Sequence, residues 1–218
     1  MVSFPKVEAY DLYLAASGVN LDKFVKYVSE NNGDMSNLAG IPGSIGGAVV
    51  GNAGAYGSEI RDFLVSVNII NDENQIKTLS CEDLLFDYRE SIFKSRNWVI
   101  LTCIFKIPRN DKEEILTNIA KITALRHNKL PINEPSLGSI FKNIKLGNDK
   151  IPIAQFIQSL CLDTNINGLT FYPNHANIII NTDNKAGADD LLFFIDLIKQ
   201  KLFEFFGLIV ETEIRFIT

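Results

Sequence analysis

The chain has 218 residues, 46% of them hydrophobic and 22% charged. That length can bury a sizeable core as one large domain or two small ones, and the composition is that of a globular protein, not a disordered one. A net charge of -5 without a dense Lys/Arg patch argues against nucleic acid as a partner, and no apolar run reaches the roughly 18 residues a membrane-spanning helix needs.

In chain order, VEAYDLYLAASGV reads as a first strand. Asn20 stands where a helix is capped, and Leu21, Phe24, Val25 and Val28 follow with the spacing of one buried helix face. Asn32 and Gly33 end that helix. FLVSVNIIN and QIKTLS are two strands joined at NDEN, a hairpin-length connection. Ser80 caps a short turn, CEDLLF, with Asp83 completing a capping box. WVILTCIFKI is a further strand, and Asn110 caps a long helix with Ile115, Ile119, Ile122 and Leu125 as its buried stripe. KLPINEPSLGSIFKN carries two prolines and a glycine and reads as a linker or functional loop. A helix over 153–160, the strand NIIIN, a helix over Ala188–Phe206 stopped by Gly207, and a strand LIVETEIRFI complete the chain. The class is α+β, with a domain boundary near Asn128.

Cys81, Cys103 and Cys161 are widely spaced and form no CxxC pair, so they read as reduced, mostly buried thiols of a cytoplasmic protein. MVSFPKVEAYDLYL lacks the basic and apolar regions of a secretory signal. His127 and His175 are too few for a His-based metal site, so no metal is expected.

The stretch AGIPGSIGGAVVGNAGAYGSEI, residues 39–60, is crowded with glycine and has no charge before Glu59. Glycine serves positive φ or the close approach of a ligand to the backbone, and clustered N–H groups can cradle a phosphate without cationic side chains. A close-packed turn with no ligand explains the composition as well. The stretch is neither a P-loop nor a GxGxxG opening a helix.

The wording of the stretch closely resembles the signature of the UDP-N-acetylenolpyruvoylglucosamine reductase family. The resemblance continues in order through FDYRESIFK, EPSLGSIFKN, NHANIIIN and FGLIVETEIRFI. The short spacing between segments is similar to the subclass without the extra substrate-covering insertion. It implies the second lobe of a two-lobed FAD-binding fold over 1–128 and a small α/β substrate-binding domain over 129–218. The implied reaction reduces the enolpyruvyl ether of a UDP-sugar to UDP-N-acetylmuramate in peptidoglycan precursor synthesis, with FAD as cofactor and NADPH as co-substrate.

The matched residues carry the chemistry the resemblance implies. Arg89 matches the family's arginine, a planar guanidinium able to grip a carboxylate and offset charge on an enolate. Ser139 matches the proton donor, and Glu213 the carboxyl group that completes the set. Gly43, Ser44, Ile45, Gly46 and Gly47 match the flavin-contacting loop, and Tyr88, Lys142 and Asn143 the substrate-binding positions. Taken singly, Arg89 reads as a surface ion-pair partner, Ser139 as a turn residue, and Glu213 as an outward residue of an alternating strand, with Arg215 beside it.

The match has departures. VEAYDLYLAASGVNLDKFV already matches the segment after the lobe whose GSN-type loop holds the FAD pyrophosphate, which implies a lobe lost or carried on a separate polypeptide. Asn174 stands for the usual Lys, Ile144 for Pro, Gln155 for Lys and Cys161 for Gly. A non-catalytic remnant or nucleotide-sugar-binding module without flavin would keep the same motifs. The set of Ser139, Arg89 and Glu213 argues against a different flavoprotein oxidase of the same architecture.

Overall fold

The computed structural model describes residues 10–131, 134–147, 149–162 and 165–216. The chain divides into two compact units, Met1–Leu125 and Arg126–Thr218.

In the first unit, β1 (Tyr10–Ala16) is followed by α1 (Leu21–Glu30), whose first turn is held as expected: Asn20 accepts from the Lys23 amide. Leu21, Val25 and Val28 on α1 are fully buried, each worth roughly 1.5–3 kcal/mol relative to exposure. Phe24 packs on Phe105 with ring centroids 5.2 Å apart. The glycine-rich stretch then forms a short helix α2 (Ile45–Val50) and a tight hairpin of β2 (Gly54–Ala55) and β3 (Ser58–Glu59). The strands β4 (Leu64–Ile70), β5 (Ile76–Ser80) and β6 (Val99–Pro108) follow. Together with β1 they make an antiparallel sheet in the order β1-β6-β4-β5, with Leu14 opposite Ile104 and Val67 opposite Cys103. Across its outer face Thr78 donates to Asn68, which donates to Thr102, so three strands share one polar ladder. The hairpin turn is organised by Asn71, whose Oδ1 accepts from the amides of Glu73 and Gln75. Ser80 and Asp83 form the expected cap, and those bonds hold the Asp83 carboxyl below its ordinary range.

The long helix α3 (Lys112–Lys129) is capped by Asp111 rather than Asn110: the amides of Glu113 and Glu114 both donate to Asp111 Oδ1. Asn110 is used instead to accept from Asp111 and to reach Asp34. The expected buried stripe is narrower too, because Ile115 and Ile122 are buried but Leu125 is 45% exposed.

The second unit contains β7 (Ser136–Ser139), the hairpin β8 (Ile144–Leu146) and β9 (Asp149–Ile151), and α4 (Ile153–Ser159). β10 (Leu169–Tyr172), β11 (His175–Asn181) and α5 (Ala188–Phe206) complete it. Its three-stranded antiparallel sheet runs β10-β11-β7 over a core of Phe141, Ile153, Phe194 and Ile198. Two expectations change here. The segment read as a linker contains β7, since its backbone pairs with β11 despite the flanking prolines; Ile132 and Asn133 of it lie outside the described residues. In the terminal segment LIVETEIRFI the described residues, 208–216, form no strand: they pair at the single bridge between Phe141 and Thr212 and bend at Glu213 and Ile214, and Ile217 lies outside the described residues. Gly207 ends α5 as expected, its amide donating to Phe203 while Leu208 donates to Leu202.

The thiols are less uniform than their spacing suggests. Cys103 is buried at the centre of the first unit's sheet, Cys81 is half-buried, and Cys161 is exposed at the end of α4. No helix among the described residues is long and apolar enough to cross a membrane.

Candidate active site

In the first unit the glycine-rich stretch is knitted into its surroundings. Gly46 lies so close to Ser17 that a Cβ would meet the Ser17 Cβ at 2.9 Å. Its amide donates to the Ser17 carbonyl at 2.8 Å, the Ile45 amide to Val19 at 2.8 Å, and the Gly47 amide to Ser44 Oγ at 3.2 Å. These three donors are therefore spent inside the protein, and the phosphate cradle that the composition allows is not formed by them. Ile45 and Gly46 are buried, whereas Pro42, Gly43 and Gly47 are exposed. Gly43, at φ 106, and Gly57, at φ 84, present bare backbone to open space: a Cβ at either would meet nothing within 4 Å. The rim is uncharged and leaves room at Gly43 for a flat ring to lie against the backbone, while the three spent amides are not available to a diphosphate.

Arg89 is brought to the same stretch by a two-residue turn. Asp87 and Glu90 exchange main-chain hydrogen bonds at 3.2 and 3.1 Å, leaving Tyr88 and Arg89 at the tip, with Arg89 in the left-handed region at φ 56. Its guanidinium donates to the carbonyls of Asn52 at 3.3 Å and Gly54 at 2.6 Å and lies 5.1 Å from the centre of the Tyr88 ring. Lys94 closes the turn by donating to the Arg89 carbonyl and pairing with Glu90 at 3.3 Å. Asn52, fully buried at 0% exposure, was not legible as part of this site. Its amide donates to Glu59 and to the Asp87 carbonyl, both at 2.9 Å.

In the second unit Ser139 ends β7 opposite Ile178. The Glu213 amide donates to the Ile140 carbonyl at 2.7 Å and Lys142 donates to Glu211 at 2.9 Å. Asn177 locks the same segment: its side chain exchanges hydrogen bonds with Phe141 at 2.8 and 3.0 Å, and its carbonyl accepts from Ile140. Asn143 caps α4 by accepting from the Ile153 amide at 3.3 Å, and the Lys142 ammonium pairs with Glu211 at 3.0 Å. The main chain thus pairs the segment that follows Ser139, which carries Lys142 and Asn143, with the segment that carries Glu213.

A cavity of about 420 Å³ lies in the same unit, lined by Lys129, Gln155, Cys161, Tyr172, Asn174 and His175 among others. His175 Nδ1 is buried with no hydrogen-bond partner among the described residues. Burial, and then the charge of Lys129, push its imidazole below the ordinary value. In the sequence, Asn174, Gln155 and Cys161 stood out as departures from the family pattern, and all three line this cavity with His175. Asn174, where the resemblance expects Lys, donates to the Asn128 carbonyl at 3.2 Å.

Residues 130–217 match the family model of the UDP-N-acetylenolpyruvoylglucosamine reductase C-terminal domain, and residues 5–80 match an FAD binding domain. The fold and the two matches together define an α+β protein of the FAD-binding-domain class. The chain belongs to the UDP-N-acetylenolpyruvoylglucosamine reductase family. It is 34% identical over 212 residues to the reductase of Lachnoclostridium phytofermentans, covering 94% of this chain and 66% of that protein. It is 33% identical over 211 residues to that of Fusobacterium nucleatum, covering 94% and 70%. The crystal structure of the reductase from Thermus caldophilus matches with a TM-score of 0.78 at 25% identity, over 93% of this chain and 71% of that one. The chain therefore spans about two thirds of the length of its relatives. The expectation that the N-terminal flavin-binding lobe is missing is revised by the match at 5–80, which places FAD-binding-domain sequence at the start of this chain.

Proposed function

We propose that this chain carries out the reductase chemistry of its family: FAD- and NADPH-dependent reduction of UDP-N-acetylglucosamine enolpyruvate to UDP-N-acetylmuramate, in the cytoplasm. The observation that supports the reading is the main-chain pairing of the segment after Ser139 with the segment that carries Glu213. A hydroxyl to deliver a proton and a carboxyl group are held on neighbouring segments by the 2.7 Å hydrogen bond from Glu213 to Ile140.

In this reading residues 1–128 are the second lobe of a two-lobed flavin-binding fold of the short-insertion subclass, and 129–218 bind the UDP-sugar. Gly43, Ser44 and Gly47 would line the flavin ring, with Ile45 and Gly46 holding them from beneath, and the pyrophosphate is held by residues outside 43–47, on a lobe of the same or a separate polypeptide. Flavin, when bound, supplies the hydride chemistry. Arg89 orients the substrate carboxylate and offsets its growing charge. Ser139 gives its proton to the carbon next to the reduced one, Glu213 supports the charge balance around it, and Tyr88, Lys142 and Asn143 position the sugar nucleotide.

The test separates the half-reactions, using this chain supplemented with the N-terminal lobe of a relative if it does not hold FAD by itself. Ser139→Ala should leave flavin reduction by NADPH intact and slow enolpyruvyl reduction by roughly 10²–10⁴, the usual worth of a placed general acid. Equal loss in both would make Ser139 structural. Binding of the UDP-sugar without any flavin reduction would make the chain a binding module.

A further inference from the structure

We propose that Asn52 is a positioning residue that fixes the Arg89 guanidinium; the proposal rests on the reading of Arg89 given above. Asn52 is a polar residue at 0% exposure, and both groups facing its amide nitrogen are acceptors, Glu59 Oε2 and the Asp87 carbonyl, each at 2.9 Å. Only the NH2 end of the amide can face two acceptors, so the chemistry dictates which end points there.

The Asp87 carbonyl is the base of the turn that carries Arg89 at its tip. The side chain of Asn52 therefore grips the start of the turn, while its main-chain carbonyl accepts from Arg89 Nη1 at 3.3 Å. One residue holds Arg89 at both ends, at its backbone through Asp87 and at its guanidinium directly. The Gly54 carbonyl, two residues on, adds the second contact at 2.6 Å and fixes the plane of the fork.

The backbone agrees. Arg89 at φ 56 occupies the left-handed region, which an arginine keeps only where the surroundings over-determine it, whereas Asn52 at φ 42 is of the residue type that takes this region readily. The Asn52 amide bond to the Asp87 carbonyl contributes to that determination, and its bond to Glu59 holds the amide in place. Glu59 is itself anchored by Arg61 at 3.0 Å, so the Asn52 amide is fastened to a fixed carboxylate. An arginine whose task is to orient a carboxylate with two bonds loses that task once its plane is free to turn.

Asn52→Gly tests this, because glycine takes φ 42 without strain and keeps the main-chain carbonyl, so that only the amide is deleted. The first measurement needs no ligand: nitrogen-15 NMR of the Arg89 guanidinium, reading rotation about its Nε–Cζ bond. Slow rotation is expected in the wild type and a speeding of roughly 5- to 100-fold in Asn52→Gly, the range of a direct pairwise coupling. Unchanged rotation overturns the proposal.

The second measurement is a double-mutant cycle with Arg89→Lys on the two half-reactions. Asn52→Gly should slow enolpyruvyl reduction alone, and should add nothing in the Arg89→Lys background. Losses that multiply independently overturn the proposal. Wild-type turnover in Arg89→Lys would instead remove the reading of Arg89, leaving the guanidinium rotation to judge Asn52. If Asn52→Gly fails to unfold cooperatively, Asn52→Asp replaces it. There the new carboxyl must carry a proton to keep donating to Glu59 or Asp87, so slow rotation should persist at low pH and vanish as pH rises. Rotation that is slow at every pH would overturn the proposal.

Discussion

Asn177 and Phe141 hold each other by two reciprocal hydrogen bonds, the amide nitrogen donating to the Phe141 carbonyl at 2.8 Å and the Phe141 amide donating to Asn177 Oδ1 at 3.0 Å. Both residues are buried. The pair mimics a rung of a sheet ladder with a side chain, and it joins β11 to the residues that follow Ser139. Asn177→Ala would leave a buried N–H and a buried C=O unpaired, each costing about 1–3 kcal/mol, so a loss of roughly 2–6 kcal/mol is expected in urea unfolding. A loss below about 0.5 kcal/mol, within the range of an ordinary surface substitution, would refute that account.

The imidazole of His175 gives the fold a pH dependence. Burial holds it below its ordinary 6.5, so the folded protein resists a proton that the unfolded chain accepts. Above pH 6.5 both states are neutral and the contribution is fully present. As pH falls from 6.5 toward the lowered folded value, the unfolded chain takes up the proton first and stability declines. Melting temperature should therefore fall more steeply with acidification in the wild type than in His175→Gln. Parallel curves for the two proteins would count against it.

Cys161 follows α4 at φ 47, a backbone conformation that favours glycine, at the position where the family resemblance leads one to expect glycine. The left-handed region costs a residue with a Cβ roughly 1–2 kcal/mol, partly offset by the greater freedom of glycine in the unfolded chain. Cys161→Gly should raise stability by about 0.5–1 kcal/mol, read as a higher denaturation midpoint at unchanged slope. Lower stability in the glycine variant would show that the cysteine side chain contributes more than its strain costs.

The three thiols should separate by reactivity. Burial pushes the Cys103 thiol up to about 12, so it presents almost no thiolate at neutral pH. Cys161 is exposed and Cys81 is half-buried with its thiol raised, again chiefly by burial. Under native conditions iodoacetamide should modify Cys161 first and leave Cys103 unmodified until unfolding, as peptide mass mapping over time would show. Early labelling of Cys103 would contradict its burial.

Much of the fold was legible wherever local chemistry decides it. Asn20, Asn71, Asp83 and Gly207 each do what their residue type and spacing imply. The cap of α3 was misread by one residue because Asn110 and Asp111 are both good caps and only tertiary contact, through Asp34, occupies the first. The terminal segment alternates like a strand, yet pairing needs a partner, and among its described residues a single bridge to Phe141 is formed. β7 was hidden for the converse reason, since its pairing with β11 comes from distant sequence. At the candidate site, motif wording pointed to Ser139 and Glu213, and in the structure the Glu213 amide bonds the carbonyl of Ile140, the residue after the serine. Asn52 and Asn177 escaped notice because an asparagine that serves by hydrogen-bonding a remote backbone has no local signature.

The hydrogen bonds that tie Ile45 and Gly46 to Val19 and Ser17 also bear on timescale. A glycine-rich surface stretch is the usual place for a protein to open locally at little cost, with amide protons that exchange in milliseconds to seconds. Here the two amides donate into the connection between β1 and α1, so their release requires that connection to come apart. The stretch should accordingly exchange with the slow class of the central sheet, and behave as a stationary wall of its unit that a ligand meets already in place.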